Sequence, residues 1–300
     1  MPGKGRPKKS NPIPARNNPS SIRAVSTSSV SKRNTPKNVL YFIERTINGI
    51  SQKDIDSVEA SLKGKSGELL YLVLHTYGGD IYSAVKIMRI LQYKFKEIRV
   101  IIPDFVYSSG TIMALGTDVI YLDVDACIGP LDKPMENPRD GSDISSLDIT
   151  NTLTNLASTI DSIAGKFYET LRKEGKIKLS KIEAAKLAYE TASNTVNPII
   201  NKIDPYFLQS GYRQTQIGLN YAIDMLISRM MKAEIRKAVK TAFSLVNDYP
   251  AHSYGIYREE ARASLGLKVE NLESLREWSQ FEPKFKLLKR TPNSIEFMIF

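Results

Sequence analysis

The sequence predicts an α/β fold organised around one parallel βαβ unit. Three observations lead to this prediction. Residues 70–75 form a short aliphatic run that is typical of a buried strand. Residues 81–95 then place apolar side chains three and four positions apart, which indicates a helix with one buried face. Residues 98–102 form a second aliphatic run, closed by Pro103, and two strands joined by a helix in this way run parallel.

A basic segment without acidic residues precedes this core. Residues 1–37 contain nine Lys and Arg residues, six prolines and no Asp or Glu, so subtracting them lowers the formal net charge from +10 to +1 for residues 38–300. Because the segment has few apolar side chains to bury, we predict a disordered basic tail. We expect a solvated extension, and the alternative is electrostatic contact with a polyanion such as nucleic acid or with an anionic membrane surface.

The elements beside the core follow from local patterns. Residues 39–43 are predicted to form the first strand. Ser51, with Asp54 three residues later, predicts the start of a helix through a capping box. Beyond the core, residues 112–115 begin a wholly apolar short helix, and residues 119–122 form a further strand.

Two turns that follow the core strands carry the candidate chemistry. The first is Tyr77-Gly78-Gly79-Asp80, and the second is Tyr107-Ser108-Ser109-Gly110. A serine at a helix start lies beside unpaired backbone amides, and glycines allow a second backbone to approach closely. The two turns could therefore surround a serine hydroxyl with amide donors and stabilise the oxyanion that forms when it attacks a carbonyl. The same patterns also occur as a plain tight turn and a plain helix cap, so the residues alone leave both interpretations open.

Four motifs occur in order and at compatible spacing: residues 74–80, residues 98–103, residues 108–115 and the Ile-Gly-Pro-Leu-Asp sequence at residues 128–132. They closely resemble the serine dehydrogenase proteinase family, whose distant relatives include the Clp protease proteolytic subunit and signal peptide peptidase A. Weaker similarity at residues 204–208 and in the segment 252–261 extends the resemblance from Val39 to about Glu270.

The resemblance implies a Clp/crotonase-like βαβ superhelical core with additional C-terminal helices. It also implies a serine peptidase that cleaves polypeptide substrates through an acyl-enzyme, without a cofactor or metal, as a homo-oligomer. Ser108 falls on the family's nucleophile, Ser109 on the residue whose amide helps to hold the oxyanion, and Gly110 on the glycine of the Ser-x-Gly motif. Gly78 is the expected second amide donor with Gly79 as the alternative, and Ser109 is the competing nucleophile.

At the general base this sequence departs from the family's pattern. A serine hydroxyl needs a neighbouring group to take its proton, yet neither of the two histidines occupies the position used by the Clp proteolytic subunit. The signal peptide peptidase relatives use a lysine, for which Lys133 is nearest, with Asp132 as an orienting carboxylate. His252 is the alternative base, whereas His75, inside a predicted strand, is expected to be structural. For both Lys133 and His252 an ordinary surface role is the competing interpretation.

Two other functions remain compatible with these residues. A catalytically inactive scaffold or peptide-binding protein of the same fold would use the serine only to cap its helix. A crotonase-like enzyme would use the oxyanion hole for a thioester, although the Ser-x-Gly motif matches the peptidases better.

The C-terminal half is predicted to be mainly helical after a polar loop at residues 136–145. The predicted helices are residues 147–173, 180–193, 205–231 and 233–246.

The end of the chain combines aromatic and basic residues. Trp278, Phe281 and Phe285 stand among lysines ahead of a predicted terminal strand at residues 294–300. We interpret this alternation as a strand with its apolar face inward rather than a nucleic-acid surface, and such a strand could pair across a subunit interface. The predicted organisation is therefore a tail (1–37), a peptidase domain (38–270) and a C-terminal extension (271–300).

The cysteine content and the hydrophobic pattern indicate the cellular compartment in which the protein is expected. The single cysteine, Cys127, excludes an intrachain disulfide and fits a reducing environment, and its apolar context predicts a buried, inert thiol. The sequence contains no apolar run of the roughly 18 residues that a membrane span needs. We expect a cytoplasmic protein, with peripheral membrane contact as the alternative.

Overall fold

The computed structural model describes residues 37–46, 48–132, 134–137, 140–173, 178–291 and 293–300. These residues belong to one compact unit. Lys133 and residues 1–36, which include all but the last residue of the predicted tail, lie outside the described residues.

The helices and strands alternate through the first half of the chain, and helices dominate the second. The strands are β1 (Asn38–Glu44), β2 (Gly67–Thr76), β3 (Phe95–Ile102), β4 (Phe105–Val106), β5 (Val119–Leu122), β6 (Cys127–Ile128), β7 (Pro134–Glu136), β8 (Asp143–Ser145), β9 (Ile256–Tyr257), β10 (Val269–Asn271) and β11 (Asn293–Ile299). The helices are α1 (Gln52–Ser61), α2 (Ile81–Lys94), α3 (Ser109–Leu115), α4 (Ser146–Lys173), α5 (Lys181–Ile200), α6 (Pro205–Ser228), α7 (Ile235–Asn247), α8 (Arg258–Ala263) and α9 (Trp278–Leu288), with a 3₁₀ turn at Leu272–Ser274.

Among the described strands, nine form one curled, mixed sheet. β1, β2, β3, β5 and β10 are parallel neighbours in that order, which confirms the predicted βαβ core. Beyond the end of β3, β4 pairs with Thr76 at the end of β2, and β6 and the antiparallel β9 follow beside it. β7 and β8 form a separate hairpin. This α/β architecture confirms the predicted fold class.

The sheet is buried on both faces, as expected for a parallel core. Successive β1 side chains alternate between two apolar clusters: Leu40 and Phe42 pack toward the helices that cross the sheet, whereas Val39 and Tyr41 pack toward α9. Phe281 on α9 is fully buried on this second face. Fully burying an aromatic side chain of this size contributes about 1.5–3 kcal/mol relative to exposure, so α9 is an integral layer of the fold.

Local capping explains where the helices of the core begin. The predicted capping box is present at α1, where the Asp54 carboxylate accepts from the Ser51 backbone N–H at 2.7 Å. At α2 the Asp80 carboxylate accepts from the Ser83 N–H at 2.8 Å, so α2 begins immediately after the first glycine turn.

Two predicted segments differ in the structure. The polar segment 136–145, predicted to be a loop, contributes strand residues at both ends because β7 and β8 pair across it. The aromatic residues Phe281 and Phe285 lie on a helix rather than a strand, where their spacing of four residues places both against the sheet. The terminal strand is present as β11, and it pairs with β1 of the same chain.

Candidate active site

The two glycine turns meet at one edge of the sheet. β2 ends at Thr76, directly before the Gly78-Gly79 turn, and β4 ends at Val106, directly before Tyr107 and Ser108. Thr76 and Val106 are paired in a parallel register, and the Tyr107 N–H donates to the Thr76 carbonyl oxygen at 3.0 Å. Since neighbouring parallel strands end at the same edge, the two turns emerge side by side.

Ser108 has an unusual backbone conformation. Its φ of 53° and ψ of −124° make it the one residue other than glycine with positive φ in the described part of the chain. Such a conformation costs on the order of 1–3 kcal/mol and is retained where surrounding structure enforces it, often at functional sites. Ser108 also precedes α3 without donating or accepting a side-chain capping bond, so its hydroxyl is not used to hold the helix.

Gly78 allows the two turns to touch. Its φ of 104° lies in the left-handed region, and a Cβ atom placed on it would lie 2.7 Å from the Ser108 Cβ and 2.8 Å from the Tyr107 carbonyl oxygen. A larger residue here would push the serine turn away from the glycine turn.

The backbone amides around Ser108 differ in what they bind. The Gly78 N–H donates to the Thr76 hydroxyl oxygen at 3.0 Å, and the Gly110 N–H donates to the Tyr107 carbonyl oxygen at 3.0 Å. In contrast, the amides of Gly79 and Ser109 have no hydrogen-bond partner among the described residues. Of the two glycines expected to supply an oxyanion donor, Gly78 thus has an engaged N–H, whereas Gly79, the alternative, has an available one.

The orientation of the peptide between Gly78 and Gly79 favours the Gly79 amide as the donor. The Gly78 carbonyl oxygen accepts from the Ile50 N–H at 2.7 Å, so this carbonyl points toward Ile50. In a trans peptide the next N–H points in the opposite direction, and none of the described peptide bonds is cis. The Gly79 N–H is therefore directed away from Ile50, on the side where Gly79 lines a cavity with Ser108.

His252 and Asp132 meet although 120 residues separate them. The His252 Nδ1 lies 3.1 Å from the Asp132 Oδ1. Strands β6 and β9 explain the encounter, because Ile128 pairs with Ile256 in an antiparallel register. Asp132 lies four residues after Ile128 and His252 four residues before Ile256, so the two side chains occupy matching positions beyond the paired segment.

Asp132 is held in a buried position. Its side chain is 3% exposed, and its Oδ2 accepts a hydrogen bond from the Ser145 hydroxyl at 2.8 Å. The Leu131 N–H donates to the Leu245 carbonyl oxygen at 2.8 Å, which attaches this loop to α7. Ser145 was not predicted as a site residue, since only the fold of the β7–β8 hairpin brings it to Asp132.

One cavity of about 200 Å³ brings these features together. Ser108, Ser109, Gly79 and His252 all line it. Apolar walls come from Tyr77, Ile81, Ile112, Leu131 and Ile217, and α6 adds Gln214 and Gly218. The contribution of α6 was not predicted, because nothing in its sequence distinguishes cavity-lining residues from core residues.

The two adjacent serines have different surroundings. Ser109 is 3% exposed, and its hydroxyl oxygen has no hydrogen-bond partner among the described residues. Ser108 is partly exposed. A hydroxyl that must reach a peptide carbonyl needs access, so these surroundings favour Ser108 over Ser109.

The family comparison covers this region. Residues 51–152, which include both glycine turns, Ser108 and Asp132, match the family model of ClpP-like SDH-type serine proteinases. The match confirms the resemblance inferred from the motifs, and the name of the ClpP-like SDH-type serine proteinases supports peptidase activity in general terms.

A curated relative shares part of the chain. An uncharacterized protein of Methanocaldococcus jannaschii is 35% identical over 82 residues, and the alignment spans 27% of this chain and 28% of the relative. His252 lies beyond the segment matched to the ClpP-like SDH-type serine proteinases, so that match does not assign a base.

The remaining candidates lie outside the cavity lining or outside the described residues. Lys133 belongs to the latter group. His75 is fully buried in β2 against the Phe105 ring, and burial lowers its pKa to about 4 despite the nearby Asp104 carboxylate. Cys127 is buried with its Sγ 3.4 Å from the Tyr107 hydroxyl, and burial raises the pKa of this thiol.

The described residues lack two further kinds of feature. They contain no group of three or more His, Cys, Asp or Glu side chains arranged to hold a metal ion. None of the described helices is both long and apolar enough to cross a membrane.

Proposed function

We propose that this protein is a serine peptidase in which Ser108 is the nucleophile, His252 the general base and Asp132 the carboxylate that orients His252. The contact of 3.1 Å between His252 Nδ1 and Asp132 Oδ1, at a histidine that lines the same cavity as Ser108, is the observation that carries the proposal. A histidine oriented by a buried carboxylate beside an accessible serine is the arrangement that serine peptidases on unrelated folds use.

Asp132 sets the state of the imidazole. Its Oδ1 accepts from His252 Nδ1–H, which leaves the Nε2 lone pair available to take a proton. The Ser145 hydroxyl, donating to the other carboxylate oxygen, fixes the orientation of Asp132. The carboxylate then stabilises the imidazolium that forms when His252 is protonated.

Acylation follows from this arrangement. The Ser108 oxygen forms a bond to the peptide carbonyl carbon while its proton passes to His252 Nε2. The carbonyl electron pair moves onto the oxygen, where the amides of Gly79 and Ser109 donate to the oxyanion. The C–N bond then breaks as His252 protonates the leaving amine, which leaves an acyl-enzyme on Ser108. Water, deprotonated by His252, hydrolyses this ester and regenerates the serine.

The cavity walls define the expected substrate. Ile112, Leu131 and Ile217 supply an apolar lining, and Lys, Arg, Asp and Glu are absent from the residues that line the cavity within the described chain. We expect cleavage after apolar side chains, because burying a charged side chain there without a partner would be costly. A volume of about 200 Å³ accommodates one such side chain.

A fluorophosphonate probe tests the proposal, because it reacts with activated serines. Purified wild-type protein is compared with Ser108→Ala, Ser109→Ala and His252→Ala, and the adduct is located by mass spectrometry. We expect an adduct on Ser108 that persists in Ser109→Ala and is strongly reduced in His252→Ala. An adduct on Ser109 would overturn the choice of nucleophile, and no adduct in folded wild-type protein would favour the inactive scaffold.

A further inference from the structure

A buried carboxyl group lies directly behind the first glycine turn. Glu44 is the last residue of β1 and is fully buried. It pairs in the parallel register with Thr76, the last residue of β2, which is also fully buried. Within the described part of the chain Glu44 forms no ion pair with a basic side chain, and the proposed reaction does not use it.

Hydrogen bonds connect this carboxyl group to the turn. One oxygen of Glu44, Oε1, accepts from the Thr46 N–H at 2.7 Å and contacts the Thr46 hydroxyl. The other, Oε2, accepts from the Thr76 hydroxyl across a longer distance of 3.4 Å. The Thr76 hydroxyl oxygen in turn accepts from the Gly78 N–H at 3.0 Å.

The direction of these bonds is set by the donors available. A hydroxyl group has one hydrogen and two lone pairs. Because a lone pair of Thr76 receives the Gly78 N–H, its hydrogen is free to point at Glu44, which offers an acceptor. The Glu44 carboxylate therefore accepts the hydrogen of the Thr76 hydroxyl, and the Thr76 oxygen remains an acceptor for the Gly78 N–H.

This series of hydrogen bonds from Glu44 through Thr76 to Gly78 fixes the glycine turn, which forms one side of the proposed oxyanion hole. The Thr76 hydroxyl holds the Gly78 N–H, and the Ile50 N–H holds the Gly78 carbonyl oxygen at 2.7 Å. With both groups of Gly78 engaged, the Gly79 N–H has a defined direction away from Ile50, and Gly79 lines the cavity. A donor in an oxyanion hole is effective when it is aimed before the reaction begins.

We propose that Glu44 is a positioning residue for the oxyanion hole, acting through the Thr76 hydroxyl on the Gly78-Gly79 turn. This inference rests on the proposed function of Ser108. Glu44 does not touch the substrate in this role. It orients the Thr76 hydroxyl so that the hydroxyl oxygen accepts the hydrogen bond from the Gly78 N–H.

The surroundings of Glu44 make its hydrogen-bonding pattern sensitive to substitution. Burial raises the pKa of Glu44, and the nearby Asp54 carboxylate on α1 raises it further, while the bonds from Thr46 and Thr76 lower it. Asp54 itself accepts from the Ser51 N–H and from the Asn293 side chain on β11. The groups facing Glu44 are thus one carboxylate and neutral hydrogen-bond donors.

Replacement of Glu44 by glutamine would reverse one bond. The amide oxygen is needed opposite the Thr46 N–H, so the NH₂ group faces the Thr76 hydroxyl. Thr76 would then receive a second donor in competition with Gly78, and its own hydrogen would have no acceptor. Glu44→Gln keeps the size of the side chain but reverses the hydrogen bond between residue 44 and the Thr76 hydroxyl.

The test compares Glu44→Gln and Thr76→Val with Thr241→Val as a matched control. Valine has the shape of threonine without its hydroxyl, and Thr241 is also a buried threonine, on α7, whose hydroxyl donates to the Leu265 carbonyl oxygen at 2.6 Å. Steady-state kinetics on a peptide substrate are combined with inhibition by a peptide aldehyde, whose hemiacetal with serine places an oxygen in the oxyanion hole. Hydrogen exchange at the Gly78 amide is measured in the same proteins.

We expect Thr76→Val and Glu44→Gln to lower kcat about 10- to 100-fold, less than the loss of 10²–10³ caused by removing an oxyanion donor outright. KM should change little, and the aldehyde should bind more weakly by a factor close to the fall in kcat/KM. The Gly78 amide should exchange faster in both variants. Thr241→Val also removes a buried hydroxyl, so it should lose stability as Thr76→Val does, but kcat, aldehyde binding and Gly78 exchange should stay unchanged. Thr76→Ser, which restores the hydroxyl, should recover most of the activity lost in Thr76→Val.

The two hypotheses fail in different ways. Wild-type protein without labelling at Ser108 would refute the proposed function, whereas unchanged Gly78 exchange in both variants would refute the positioning chain by itself. An active wild type, together with Glu44→Gln and Thr76→Val variants whose kcat and aldehyde affinity match those of Thr241→Val, would overturn the role of Glu44.

Discussion

The buried imidazole of His75 gives a prediction about stability and pH. His75 is fully buried in β2, its ring centre lies 4.4 Å from that of Phe105, and neither ring nitrogen has a hydrogen-bond partner among the described residues. Burial lowers its pKa from 6.5 to about 4, and the positive charges of Lys289 and Arg45 oppose protonation further, while Asp104 favours it. The folded protein therefore holds His75 neutral.

The sign and size of the effect follow from this shift. Between pH 6.5 and about 4 the unfolded chain binds a proton at His75 that the folded chain does not, so stability falls as the pH falls through this window. At about 1.4 kcal/mol per pKa unit, the loss from this group reaches about 3 kcal/mol near pH 4. Glu44 contributes with the opposite sign, because its raised pKa makes the folded state the better proton binder.

The assay is urea unfolding of wild type and His75→Leu from about pH 7 to about pH 4.5. Both carry Ser108→Ala, so that self-cleavage does not contribute. Glu44 and the other titrating groups are common to both proteins and cancel in the difference. We expect the wild type to lose stability relative to His75→Leu as the pH falls, and a difference that stays constant across the window would refute the reasoning.

Two further predictions concern the cavity. Asp132→Asn should lower the rate of Ser108 labelling by about 10³- to 10⁴-fold with the fold intact, because an asparagine can hold the wrong imidazole tautomer; labelling within about threefold of wild type would contradict the role of Asp132. Gly218→Leu should shift cleavage toward smaller apolar residues, since a Cβ atom on Gly218 already lies 3.3 Å from the Leu131 carbonyl oxygen and a longer side chain would enter the cavity. Profiling with a peptide library checks this shift, Gly165→Leu on the exposed surface of α4 is the control, and an unchanged profile would count against this cavity as the substrate pocket.

Most of the core could be predicted from the sequence. The aliphatic runs and the helical spacing between them predicted β2, α2 and β3 within a few residues, because buried parallel strands and amphipathic helices have strong local patterns. Strands of two or three residues such as β4, β6 and β9 were not predicted as strands. Such short segments have no periodicity to detect, and their pairing depends on neighbours distant in the chain.

The candidate site was predictable only in part. The motifs singled out Ser108 and the glycine pair. Asp132 was proposed as a carboxylate that orients the base, with Lys133 as the nearest candidate base and His252 as the alternative. The choice between Gly78 and Gly79 required hydrogen bonds from Thr76 and Ile50, which no spacing in the sequence reveals. Among the described residues Asp132 contacts both Ser145 and His252, and the contact with His252 depends on a strand register that the sequence did not predict.

The sequence by itself determined the α/β class, the order of the core elements and the serine turn, because each follows from residue patterns that are local in the sequence. Only the tertiary structure decided which of the Gly78 and Gly79 amides is left unbonded, which side chains contact Asp132 and which strand pairs with β11. These features depend on backbone groups and side chains brought together from distant segments. The contact of Asp132 with His252 spans 120 residues, and the pairing of β1 with β11 joins the first described strand to the last. Contacts of that range are set by packing and strand register, which local residue patterns do not encode.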